Sequence, residues 1–173
     1  MTLYLEKNWS VSSKPVAVYD EYQQAVCLVE ADGVSLRQRV IIRDNEGEIE
    51  LAKVVQGLSL FKSRKTLYYN TKRIATVRQR LTSRNRRIYD VSGLKWRIKE
   101  DVGQQNFQLT DREGQLVAEV TKCWMFRAER FALTIYIENI DPIIVLAAFL
   151  AVDLSTAKNE LYQVVWDAPY SME

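Results

Sequence analysis

Along most of the chain, apolar and polar residues alternate in short runs separated by Gly, Asn and Asp. Val16-Ala17-Val18-Tyr19 is followed by Gln24 to Glu30, and a turn at Ala31-Asp32-Gly33 closes that run. Arg39 to Arg43 and Ile49 to Val54 flank Asp44-Asn45-Glu46-Gly47, which places Gly at the left-handed position of a hairpin loop. Lys65 to Tyr69 meets Arg73 to Val77 across Asn70-Thr71-Lys72, and Arg87 to Val91 meets Leu94 to Ile98 across Ser92-Gly93. Asn106 to Thr110 meets Leu116 to Val120 across Asp111-Arg112-Glu113-Gly114-Gln115, and Phe131 to Ile137 follows. A period of two is the mark of a strand, because successive side chains point to opposite faces of a sheet. The chain therefore reads as 11 or 12 strands at hairpin spacing, a mainly β fold whose antiparallel sheet closes or nearly closes into a barrel.

One segment breaks the pattern. Asp141-Pro142 combines a helix N-cap with proline at the first helical position, and Ile143 to Val152 is apolar throughout before Asp153. Ten consecutive apolar residues cover every face of a helix, whereas a surface helix keeps a polar stripe. The segment falls well short of the ~20 residues that cross a bilayer. Its length of roughly 20 Å matches the depth of a barrel of six- or seven-residue strands. A helix threaded through the barrel, over Pro142–Leu154, satisfies both constraints.

The order of these pieces carries a resemblance. Val18-Tyr19-Asp20-Glu21, the Asp44-x-Glu-Gly turn, the Trp96 strand, the Asp111-x-Glu-Gly turn and the Asp141-Pro142 helix ending in Ala151-Val152-Asp153 together resemble the LURP-one-related family of the tubby C-terminal-like superfamily. The resemblance covers about residues 16–154. It implies a closed barrel of about 12 strands around a hydrophobic C-terminal helix. Tubby domains bind phosphoinositide headgroups, and the related phospholipid scramblases act at membranes with calcium. No residue-by-residue match to either site is found in this sequence, and fold analogy alone is an associational warrant.

The 173 residues read as one domain, 1–173, with a C-terminal tail or short helix over 157–173. In that tail Leu161, Val164 and Val165 have helical spacing, and Leu161, Tyr162, Val165 and Trp166 offer an alternative docking face for a membrane or partner. Ser10-Val11-Ser12-Ser13 reads as a flexible N-terminal stretch. Histidine is absent, which removes Ser-His-Asp and Cys-His catalysis and His-ligated metals. Cys27 and Cys123 form no CxxC pair and read as small core residues in a reducing compartment, with a single disulfide left open. No secretory h-region follows Met1, so the expected location is cytoplasmic, with peripheral membrane association left open.

Charge adds the main functional clue. The net charge is only +2, but residues 62–99 hold 13 Lys/Arg and one acid, Asp90. The candidate ligand-binding residues are Arg64, Lys65, Lys72, Arg73, Arg78, Arg80, Arg84, Arg86 and Arg87. Guanidinium groups offer paired donors to phosphate, and each basic residue near an anionic surface adds about 1 kcal/mol. The competing reading is a solvated barrel exterior that pairs with acids elsewhere.

The carboxylates Asp20-Glu21, Glu100-Asp101 and Glu46/Glu48/Glu50 read as solvated turns rather than a cation site or an acid–base pair. Asp141 reads as a cap, and Asp153 opposes the helix dipole unless it finds a backbone or turn partner. No P-loop, GxGxxG or GxSxG is present, and no cofactor or metal is expected. The expectation is a non-enzymatic module binding anionic phospholipid or another phosphate-bearing ligand. A module docking an acidic protein is the alternative, and nucleic acid ranks third.

Overall fold

The computed structural model describes residues 1–32, 38–57, 64–80, 86–125 and 127–153. Its strands are β1 (Thr2–Glu6), β2 (Val16–Tyr19), β3 (Ala25–Asp32), β4 (Arg39–Asp44), β5 (Glu50–Gln56), β6 (Arg64–Tyr69), β7 (Lys72–Arg80), β8 (Arg86–Ser92), β9 (Trp96–Asp101), β10 (Asn106–Thr110), β11 (Leu116–Met125) and β12 (Ala128–Ile135). Each pairs antiparallel with its sequence neighbour, and β1 pairs with β12 to close the barrel. A helix, α1 (residues 142–153), runs through the middle. The mainly β closed barrel of 12 strands with one C-terminal helix is the architecture read from the hydrophobic pattern and from the resemblance.

The alternation decides which side chains enter. Val40 and Ile42 of β4, Leu67 of β6, Val77 of β7, Val91 of β8 and Ile98 of β9 are buried, with less buried neighbours beside them. The interior they line is filled by α1, where Val145 to Val152 are all buried. Phe149 sits edge-on between Phe107 and Phe131, each ring centre 5.3 Å away. The void left between α1 and β9–β12 is about 10 Å³, the size at which even one water barely fits. That stretch of the interior is core, not a ligand chamber.

The two hairpin turns with an Asp-x-Glu-Gly sequence are built alike. The Asp44 carboxylate accepts from the amides of Glu48 and Ile49, and the Asp111 carboxylate accepts from Gln115. Gly47 and Gly114 take φ of 78° and 85°, the left-handed conformation that glycine adopts without strain. The Asp20 carboxylate likewise holds the amides of Tyr22 and Gln24. These acids are turn-builders, as the sequence suggests; Glu100, read with them as part of a solvated turn, is instead a buried residue of β9, because the pleat turns it inward.

The N-terminus differs from expectation. Residues 2–6 form β1, whose five register pairs with β12 seal the barrel. Leu3 and Leu5 alternate with polar residues, but the run is short and has no hairpin partner nearby in sequence. Only a partner some 130 residues away makes it a strand. The segment read as flexible carries instead a single 3-10 turn, Trp9–Val11. There Trp9 is fully buried and its indole N–H donates to the Asp153 carboxylate at 2.8 Å. Asp153 is thus tied to the start of the chain; Ser155 and Thr156 lie outside the described residues, as do Leu154 and the whole 157–173 tail. Leu94 and Lys95, read as strand, belong to the β8–β9 turn.

The barrel has two distinct ends. At one, the Asp141 carboxylate caps α1 by accepting the Ile143 amide at 2.9 Å, and the Tyr69 hydroxyl donates to its second oxygen. That bond raises the Tyr69 pKa. At the other end α1 terminates, and the Lys65 ammonium donates to the Ala151 carbonyl. A cation on the last carbonyls complements the helix dipole. By antiparallel order, the starts of β6, β8 and β10 and the ends of β7, β9 and β11 gather at this second end.

Candidate basic face on strands six to nine

The residues of the basic segment do not share one surface. The parity of each strand sends half of them inward. In β6, Lys65 and Leu67 are buried, while Arg64 is exposed. Lys65, 2% exposed, is part of the barrel interior and is committed to α1. In β8, Tyr89 and Val91 are buried, so Arg87 shares their side of the strand. Its guanidinium lies 3.7 Å from the buried Glu100 carboxylate, which also accepts from the Tyr89 hydroxyl at 3.1 Å. Burial first, and then the Glu100 charge and hydrogen bond, push the Tyr89 hydroxyl well above its ordinary pKa. Lys65 and Arg87 are therefore structural cations, placed apart from the outer face where a ligand would dock.

Arg64, Arg78, Arg80 and Arg86 are exposed and lie on the outer side. The register aligns them. Arg64 faces Arg78, Arg78 faces Asp90, and Asp90 faces Arg97 across β6 to β9. Arg80 and Lys99 flank Ile88 one row nearer the end where α1 terminates. Asp90 is the single acid in the middle of this face, and it pairs with both Arg80 and Arg97, the latter at 3.5 Å. Among the described residues Arg64, Arg78, Arg86 and Lys99 form no ion pair.

Lys72 and Arg73 are exposed but sit at the opposite end, at the start of β7 beside the β6–β7 turn, where Arg73 donates to the Thr76 hydroxyl at 3.0 Å. Arg84 lies outside the described residues. Of the nine candidates, then, four form one outward array, two are inward, two belong to the far end and one is not described. Sequence reasoning passed over Arg97 and Lys99, although Trp96-Arg97-Ile98-Lys99 alternates apolar and basic without interruption. That alternation was the available signal, because it assigns both cations to the outside.

The same end carries an aromatic. Trp124, at the tip of the long β11, is 76% exposed. No group of three metal-ligating side chains occurs among the described residues. No helix there is long and apolar enough to cross a membrane.

Comparison with known proteins agrees with this architecture. Residues 1–153 match the model of a family described as LURP-one-related. The chain is 27% identical over 143 residues to the uncharacterised protein YxjI of Bacillus subtilis (strain 168), covering 83% of this chain and 86% of that one. No solved structure matches the chain.

Proposed function

The chain belongs to the LURP-one-related family, and we propose that it is a non-enzymatic, cytoplasmic module that binds phosphate-bearing anions, above all an anionic phospholipid surface, through the outer face of β6–β9. One observation carries the reading. Register places Arg64, Arg78, Arg80, Arg86, Arg97 and Lys99 together on that face, six cations with two acids among them, Asp90 in the middle and Asp101 opposite Arg86 at the end. Exposed cations left unpaired by their neighbours attract an anionic surface, at about 1 kcal/mol each. Trp124, exposed at the end of β11 where α1 also terminates, supports the lipid form of the ligand, since an indole suits the headgroup region, where one end is apolar and the other wet.

The test is co-sedimentation with vesicles of neutral phosphatidylcholine, alone or with phosphatidylserine added, at near-physiological salt. The partner protein is the triple variant Arg64→Glu/Arg78→Glu/Arg86→Glu. Arg87 is left intact, because reversing it would set two acids against each other beside the buried Glu100. Binding to the anionic vesicles alone, reduced about tenfold or more in the variant, is the expected result. Equal binding by the variant, or no binding at all, moves the reading to the docking of an acidic protein.

A further inference from the structure

Beside the outward arginines, the barrel wall is indented over β9. A groove of about 440 Å³ runs between the β8–β9 turn and the β10–β11 turn. Its walls carry Lys95, Arg97, Lys99 and Arg112, with the hydroxyl residues Ser92 and Thr110 between them. The hairpin geometry builds it. Gly93, at φ +100°, packs so closely on β7 that a Cβ there would lie 2.3 Å from the Ile74 carbonyl oxygen. This seats the turn against its neighbour and swings Lys95, itself at φ 59°, to the groove edge. From the other side Thr110 faces Arg97 in register, which brings Arg112 of the next turn alongside.

The charges there are not spent internally. Two acids also line the groove. Asp90 is shared between Arg80 and Arg97, and the Asp111 carboxylate holds its own turn through the Gln115 amide. Lys95, Lys99 and Arg112 form no ion pair among the described residues. Four cations against two acids leave a net +2 around a concave surface that also carries the Thr110 hydroxyl, the Ser92 hydroxyl being taken by the Thr76 carbonyl at 3.1 Å. A phosphomonoester carries a charge of about −2 near neutral pH and three acceptor oxygens. Two guanidinium forks can each donate a pair of hydrogen bonds to it, and the two ammonium groups add point charge.

We infer that this groove is a discrete phosphate-binding site, taking one phosphomonoester group presented by a small ligand or by a lipid headgroup. It deepens the reading of the basic face, on which it rests for its class of ligand. It differs in kind: the flat arginine array attracts any anionic surface, whereas the groove binds one group stoichiometrically.

Amide NMR of the full chain, titrated with inorganic pyrophosphate, tests the inference, together with sedimentation on phosphatidylcholine vesicles carrying phosphatidic acid. The groove variant is Lys95→Glu/Arg112→Glu, which leaves the face residues Arg97 and Lys99 and the Arg97–Asp90 pair intact. The face variant is Arg64→Glu/Arg78→Glu/Arg86→Glu. Thermal melts establish that both remain folded. Saturable shifts at residues 92–99 and 110–114, lost in the groove variant and kept in the face variant, identify a soluble phosphate as sufficient. Binding to phosphatidic acid vesicles alone, weakened about tenfold by the groove variant, assigns the site to a lipid headgroup. If the groove variant binds both probes like the parent while the face variant loses the vesicles, the groove inference falls and the basic face stands. If the parent binds neither probe, both fall.

Discussion

Two pairs of adjacent residues carry the same charge and opposite fates. Arg64 lies exposed on the outer wall, and Lys65 beside it is buried against the end of α1. Arg86 is exposed, and Arg87 beside it turns toward the buried Glu100. Nothing in the composition separates the members of each pair. The pleat does, because one residue along a strand is half a period. A count of positive charge in a β segment therefore measures two quantities at once: the field presented to solvent, and the cations used to neutralise carboxylates and helix carbonyls inside. In this barrel the second use is concentrated at one end of the interior, where Lys65, Arg87, Glu100 and Asp153 occur with Trp9 and Tyr89.

The strongest way to break that comparison is to place a charge inward where no partner exists. Leu146 is 1% exposed, and Phe149 is held between two rings. Leu146→Asp or Phe149→Asp buries an uncompensated carboxylate and should cost about 5 kcal/mol or more, enough to abolish the cooperative melt of a domain of ordinary stability. A variant of either kind that melts near the parent temperature would mean that α1 does not thread the barrel.

The next effect separates the inward cations from the outward ones directly. Glu100→Ala leaves Arg87 facing the interior without its carboxylate, and Lys65→Ala removes the donor on the Ala151 carbonyl while opening a cavity. Each should destabilise by about 3 kcal/mol. Arg64→Ala, one residue from Lys65, should stay within about 0.5 kcal/mol, as exposed substitutions do. Urea unfolding of the three variants beside the parent gives the ranking. Equal losses for Lys65→Ala and Arg64→Ala would dissolve the distinction between the two members of the pair.

Much of this was readable before the structure. The hairpins announced themselves through Asn-Thr-Lys, Ser-Gly and the two Asp-x-Glu-Gly turns, because those residues adopt left-handed or side-chain-bonded turns locally. The helix was readable because ten apolar residues admit no exposed face. Strand β1 was not, since its partners among the described residues are β12 and a single pair with β2, and long-range pairing leaves no local trace. The burial of Trp9, beside the Ser10–Ser13 stretch read as flexible, left no local trace for the same reason: its partner is Asp153. The basic segment was readable as a segment, but its division into wall and interior needed strand ends fixed to one residue. A shift of one would exchange Arg64 for Lys65. Arg112 was invisible as a groove residue, since only the pairing of β9 with β10 brings its turn beside Arg97.

The two cysteines repeat the inward–outward contrast with a neutral group. Cys27 is fully buried, and burial pushes its thiol up to about 12, from an ordinary value of 9.0. Cys123 faces Arg130 across β11 and β12 and is only half-buried; burial raises its thiol too, with the Arg130 charge opposing. Both thiols are free, so a disulfide between them is not formed. A thiol-specific reagent at pH 8 should therefore modify one thiol per native chain first, at Cys123, and the second only on unfolding. The pH dependence follows with its sign. Between pH 9 and 12 the unfolded Cys27 has released its proton while the folded one still holds it, so the folded state binds more protons and stability falls as pH rises. The stabilisation is complete below pH 9 and declines by about 1.4 kcal/mol for each pH unit above it until the folded value is reached. Cys27→Ala removes that slope and leaves the titration of lysines and tyrosines common to both proteins. The difference in unfolding free energy between parent and variant, measured at pH 8 and again at pH 10, should shrink by about 1.4 kcal/mol. A difference that stays constant would place Cys27 in contact with solvent and on the wrong side of the barrel wall.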